Sequence, residues 1–162
     1  MTEAWLERFF RARRVAVLAI PRAGWSPLAT PVWSDYDGTR FRVQVEATSA
    51  KARAFAGASA LPVSLTIQSE VPPYRYAVVH GQATLGANDQ PGLRRRLARR
   101  YFGRVGGDSY VTDEVKRGVD DAALRVIEIT PERILSHDFR PAAGFVGRLY
   151  FAIYRWLRPV PA

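Results

Sequence analysis

One stretch limits the folds open to this chain more than any other. Across residues 28–55 the hydrophobic pattern changes from the two-residue beat of a strand to the period of a helix. Phe41, Val43 and Val45 alternate with Arg42, Gln44 and Glu46, which describes a strand with one apolar and one polar face. Asp37-Gly38 separates it from another β-rich run, and that dipeptide in that place is a strong hairpin signal. At Thr48-Ser49 the pattern turns helical. Either hydroxyl can cap a helix, and Lys51 stands in the first turn. A lysine there opposes the positive end of the helix dipole. The arrangement makes sense if an anion shares the corner, so this strand-to-helix corner is the first candidate for a phosphate site.

The rest of the chain supplies more strands than helices. Residues 2–12 read as a short helix capped by Thr2 and anchored through Trp5 and Phe9. Strands are expected at 15–20, 27–34, 40–46, 62–69, 75–85 and 124–130. Pro27 and Pro31 restrict ladder hydrogen bonds in the second, which argues for an edge, a bulge or a backbone left open to a ligand. Gly81 inside the fifth suggests a bulge or a close backbone approach. Pro131-Glu132 reads as a turn after the sixth strand. Helices are expected at 90–102 and 109–119, and Gly103 to Gly107 reads as a flexible turn. Short strands joined mostly by hairpins imply a closed or partly open antiparallel barrel. No composition shift marks a second domain. The expected organisation is one barrel domain with its N-terminal helix over residues 1–141, then a C-terminal amphipathic helix or tail over 142–162.

Composition narrows the chemistry. The 162 residues carry 24 Lys+Arg against 15 Asp+Glu, a net charge of +9, which favours an anionic partner. There is no cysteine, hence no disulfide framework, thiolate nucleophile or thiolate metal site. His80 and His137 are the only histidines and carry no metal-binding spacing, so no metal is expected. No secretion pattern or long apolar span is visible, and a cytoplasmic location is expected. The arginines from Arg94 to Arg104 read as a solvated helix face. No nucleic-acid-binding module accompanies them, so nucleic acid is not an expected partner.

Five segments in order carry a resemblance: Val15 to Ile20, Leu28 to Trp33, Asp37-Gly38, Thr48 to Arg53, and Pro72 to Gly81. Together they resemble the pyridoxamine 5′-phosphate oxidase-like flavin and deazaflavin oxidoreductases, most of all the branch that uses coenzyme F420. The resemblance spans residues 13–137. It implies a mainly β (α+β) fold, a six-stranded antiparallel split β-barrel with flanking short helices. It also implies a homodimer with the cofactor at the subunit interface. Lys51, preceded by Ser49, matches the position that binds the cofactor phosphate. Thr30, Pro31 and Val32 match the strand along the cofactor ring. Tyr74 and Arg75 match the segment that approaches from the second subunit, and Arg53 is a weaker match to the phosphate or tail region. Ala50 stands where pyridoxamine-phosphate oxidases carry a second phosphate-binding arginine, and their C-terminal segment bearing Arg and His is not recognisable in this sequence. Both departures argue against pyridoxamine oxidation.

The implied function is an F420-dependent oxidoreductase that transfers hydride between the deazaflavin and a small organic substrate. An FMN enzyme of the same fold is the alternative, and so is a non-catalytic protein that binds F420, flavin or haem. No catalytic acid or base is named by the sequence. The run 144–158 has the composition of an interfacial membrane helix, with Phe145, Leu149, Ile153, Trp156 and Leu157 on one face and Arg148, Arg155 and Arg158 on the other. Packing on the body or across a dimer is the favoured reading of that segment over contact with a membrane surface.

Overall fold

The computed structural model describes residues 2–88, 92–139 and 144–157. The start of the helix expected at 90 and the proposed division at 141/142 lie outside them. Its elements are α1 (Glu3–Arg11), β1 (Ala16–Arg22), β2 (Trp25–Val32), β3 (Asp35–Tyr36), β4 (Phe41–Glu46), α2 (Ala50–Arg53), β5 (Leu61–Gln68), β6 (Arg75–Ala87), α3 (Leu93–Lys116), a 3-10 turn at Asp121–Ala123, β7 (Leu124–Asp138) and α4 (Phe145–Leu157).

The architecture is mainly β with helices, but it is one antiparallel sheet of seven strands in the order β2-β1-β5-β6-β7-β4-β3, not a six-stranded closed barrel. Two features explain the difference. First, β6 and β7, joined through α3, form one long antiparallel pair from Arg75–Asp138 to Ala87–Arg125. The expected turn at Pro131-Glu132 is a bulge within β7: His80 pairs with Arg133 and Gly81 with Pro131, leaving Glu132 extra. Gly81 permits it, because a Cβ there would lie 2.1 Å from the Thr130 carbonyl oxygen. Second, the edges β2 and β3 do not pair with each other. The gap is filled by side chains instead. Phe10 of α1 packs edge-on against Tyr36 and Phe41, with ring centroids 5.3 and 4.9 Å away. The Tyr101 hydroxyl of α3 donates to the Arg14 carbonyl at 2.7 Å and accepts from the Ser34 N–H at 3.2 Å.

Alternation sets the core. Ala16, Leu18 and Ile20 of β1 meet Val63, Leu65 and Ile67 of β5, Phe41, Val43 and Val45 of β4, and Ile127 and Ile129 of β7 in one buried cluster. Phe9 and Phe10 seal it from α1. Thr2 occupies the N-cap of α1, but its side chain makes no capping bond; its carbonyl accepts from Trp5 and Leu6 instead. On the opposite face of the sheet the register lines up Pro31, Val17, Thr66, Val78 and Leu135 across five strands. Val17 and Leu135 in that row are about two-fifths exposed (40% and 42%). The flexible turn expected over Gly103 to Gly107 narrows to a break at Gly103, whose φ of 76° suits glycine; residues 104–107 are helical and run on into the helix expected from 109.

Candidate functional site

A cleft of about 580 Å³ lies between the β2 end of the sheet, the β4–α2 corner and α3. That is within the range of cofactor-sized pockets. Pro31, Val32 and Trp33 form one wall, Gln44, Val45, Glu46, Ser49 and Lys51 the second, and Arg94, Leu97, Tyr110 and Glu114 of α3 the third.

The corner is built locally. Alternation buries Val43 and Val45, so the chain leaves β4 with its path defined, and Ser49 in extended conformation starts α2. Its Oγ accepts from the Ala52 N–H at 3.2 Å, which satisfies one of the amides that a helix start leaves open. Lys51 is half-buried and lines the cleft. Its ammonium group has no ion-pair partner among the described residues. The β2 wall is an edge, bonded only to β1, so alternate backbone groups of this strand face away from the sheet. Beside it the Thr30 hydroxyl oxygen is buried with no hydrogen-bond partner among the described residues.

The third wall is the reverse. Arg94, read from the sequence as part of a solvated face, is only 6% exposed. Its Nε and Nη2 donate to one oxygen of Glu114 at 3.2 and 2.8 Å, and Nη1 donates to the Val119 carbonyl at 2.8 Å. The other Glu114 oxygen accepts from the Tyr110 hydroxyl at 2.6 Å. Burial, together with that hydrogen bond and the Glu114 charge, pushes the Tyr110 phenol up to about 12. Tyr110 therefore stays a neutral donor throughout the physiological range. Trp33 stacks on Tyr101 with centroids 5.1 Å apart and meets Phe102 and Tyr110 edge-on. This aromatic cluster walls one side of the cleft with apolar surface.

Of the eight residues singled out from the sequence, Pro31, Val32, Ser49 and Lys51 share the cleft. Thr30 is adjacent on β2 but does not line it. Arg53 is exposed and turns back to donate to the Thr48 carbonyl. Tyr74 and Arg75 sit at the start of β6, where the Phe139 N–H donates to the Tyr74 carbonyl and the Arg75 guanidinium lies over the Trp5 ring. Neither lines the cleft within this chain. Trp33, Arg94, Tyr110 and Glu114 were not foreseen. Arg94 and Glu114 lie twenty residues apart, so no local spacing signals their pairing. Trp33, directly after the Thr-Pro-Val run, was the one cue available. Among the described residues no group of three or more His, Asp or Glu side chains has the geometry for a metal ion.

No family model matches the sequence, and no curated protein matches it. Solved structures do. The conserved hypothetical protein Rv2991 from Mycobacterium tuberculosis superposes with a TM-score of 0.66 at 20% identity, covering 88% of each chain. A putative pyridoxamine 5′-phosphate oxidase from Listeria innocua gives 0.60 at 18% identity, covering 83% of this chain and 96% of its own. An F420 reductase gives 0.55 at 18% identity, covering 80% and 94%. At these identities the likeness describes the fold: this chain has the pyridoxamine 5′-phosphate oxidase-like fold, in a form whose sheet is open.

Proposed function

We propose that the cleft binds a flavin-type cofactor and that the protein is an oxidoreductase, with coenzyme F420 the preferred cofactor and FMN the alternative. The observation that carries this reading is the Lys51 ammonium, unpaired among the described residues, beside the capped start of α2 and facing a cleft whose opposite wall is an open strand edge. The other cation lining the cleft, Arg94, is by contrast matched by Glu114 and the Val119 carbonyl. An unmatched cation in that setting suits an anion, and a phosphate also suits the Ser49 hydroxyl, whose proton remains available while its oxygen caps the helix. Alternate backbone groups of β2 over Thr30, Pro31 and Val32 face away from β1 and are open to the polar edge of a flat ring, and Trp33 offers it an apolar wall. The fold neighbours, which include an F420 reductase, add support.

A bound deazaflavin or flavin would supply the hydride chemistry. The chain's part is to fix the phosphate at Ser49 and Lys51, hold the ring against β2, and exclude water with Trp33 and Leu97. The excess of positive charge favours F420, whose phosphodiester and oligoglutamate tail are more anionic than FMN. A small organic molecule would be the second substrate, taken up at the open side of the cleft.

The reading extends to a homodimer. The row Pro31, Val17, Thr66, Val78, Leu135 is an apolar sheet face, and Pro31 belongs both to it and to the cleft. A second copy seated on that face would border the cofactor, which is where Tyr74 and Arg75 would contribute. Fluorescence titration of the purified protein with F420 and with FMN tests the assignment. Saturable quenching of F420, lost in Lys51→Ala with an unchanged melting temperature, is the expected result. Equal affinity in the variant removes Lys51 from the site. FMN bound more tightly than F420 moves the assignment to the alternative.

A further inference from the structure

We infer that α4 is a membrane-surface helix that docks the protein on anionic phospholipid. The inference is independent of what the cleft binds. Four apolar side chains of α4 stand in solvent: Phe145 is 82% exposed, Val146 78%, Leu149 52% and Ile153 48%. No such cluster of large apolar side chains is normal on a soluble surface without a function. At about 100° per residue these four positions fall on one arc of the helix, together with positions 156 and 157. Positions 148 and 155, both arginine, fall on the opposite side, and the sequence continues with Arg158. From residue 144 to the end the sequence holds three arginines and no acidic residue.

The occupant follows from charge and shape. An apolar arc on a helix whose only charged residues are arginines, on a chain of net charge +9, is complementary to a surface that is apolar within and anionic at its boundary. An acidic protein partner would match the arginines but not the apolar arc of Phe145, Val146, Leu149 and Ile153, which carries no hydrogen-bonding or charged side chain. The helix is too short to span a bilayer, and among the described residues no helix is long and apolar enough to cross one. It would therefore lie in the plane of the interface.

The test is co-flotation of the full chain with phospholipid vesicles, made of phosphatidylcholine alone or mixed with phosphatidylglycerol. Strong recovery with the anionic vesicles, reduced by salt and small with phosphatidylcholine, is the expected result. Leu149→Glu with Ile153→Glu abolishes recovery, and because both side chains are already in solvent the thermal melt is unchanged. Arg148→Gln with Arg155→Gln weakens recovery about fivefold per arginine, while the two Arg→Lys changes retain it. The glutamine pair keeps the test intact should the glutamate pair fail to fold. Absence of recovery with anionic vesicles overturns the inference, as does equal recovery of the glutamate variant. Loss of a dimer in lipid-free buffer on introducing the glutamates, without loss of flotation, assigns the face to a second copy and overturns it too.

Discussion

The two polar walls of the cleft solve the same problem in opposite ways. On the α3 wall a deeply buried arginine has every nitrogen engaged within the chain, through Glu114 and the Val119 carbonyl. On the α2 wall a half-buried lysine has no ion-pair partner among the described residues. A buried charge is tolerated when it is paired and hydrogen-bonded. On the proposed reading the α3 wall serves stability, whereas the α2 wall keeps Lys51 for a bound anion. Substitutions on the two walls should separate these roles.

Arg94→Met carries the largest expected effect. It leaves Glu114 buried without its cation, and a loss of about 3 kcal/mol in denaturant unfolding is expected. Adding Glu114→Leu should recover much of it, because the orphaned charge goes too. If Arg94→Met is neutral, the contrast between the walls disappears. Lys51→Ala should do the reverse. Melting stays put while cofactor affinity in the fluorescence titration falls about 30-fold, the equivalent of one charge-assisted contact of about 2 kcal/mol.

Ser49→Ala sits between the two. It removes the cap on Ala52 at a cost of about 1 kcal/mol in thermal unfolding, and it should weaken cofactor binding as well. A stability change without a binding change would confine Ser49 to capping. Tyr110→Phe is the mildest at neutral pH, about 1 kcal/mol or less. Its signature is alkaline. The folded-state value of Tyr110 lies near 12, above the ordinary 10.0, so the folded state holds the proton more tightly. That contribution is whole below the ordinary value and drains away as pH rises from there towards 12. Unfolding free energy measured against pH should fall less steeply there in the variant than in the parent.

Much of the local structure was legible in the residues. The alternation in β4, the Asp37-Gly38 turn and the Ser49 cap all depend on neighbours a few positions away. Asp37 shows how local such a device is. Burial raises its carboxyl, but the Arg40 and Thr39 amides, the Thr39 hydroxyl and Arg42 outweigh it and hold it well below the usual carboxylate range. The lysine at the start of α2 was visible as a misfit for the same reason, since dipole and charge are both read within one turn. What failed was long-range. Pro131-Glu132 was read as a turn, because a proline beside a charged residue looks the same in a bulge until the partner strand is known.

Most of the strands, the corner and the surplus of positive charge are therefore legible in adjacent residues, because hydrophobic period, caps and turn chemistry are local properties; the short strand β3 and the continuity of β7 through its bulge are not. Only the tertiary structure decided that the sheet stays open at β2 and β3, that Arg94 turns inward to Glu114, and that Trp33 and Tyr110 share a cleft with Lys51. Those outcomes depend on contacts between residues twenty to eighty positions apart. No periodicity encodes them, and they appear only when packing brings the elements together.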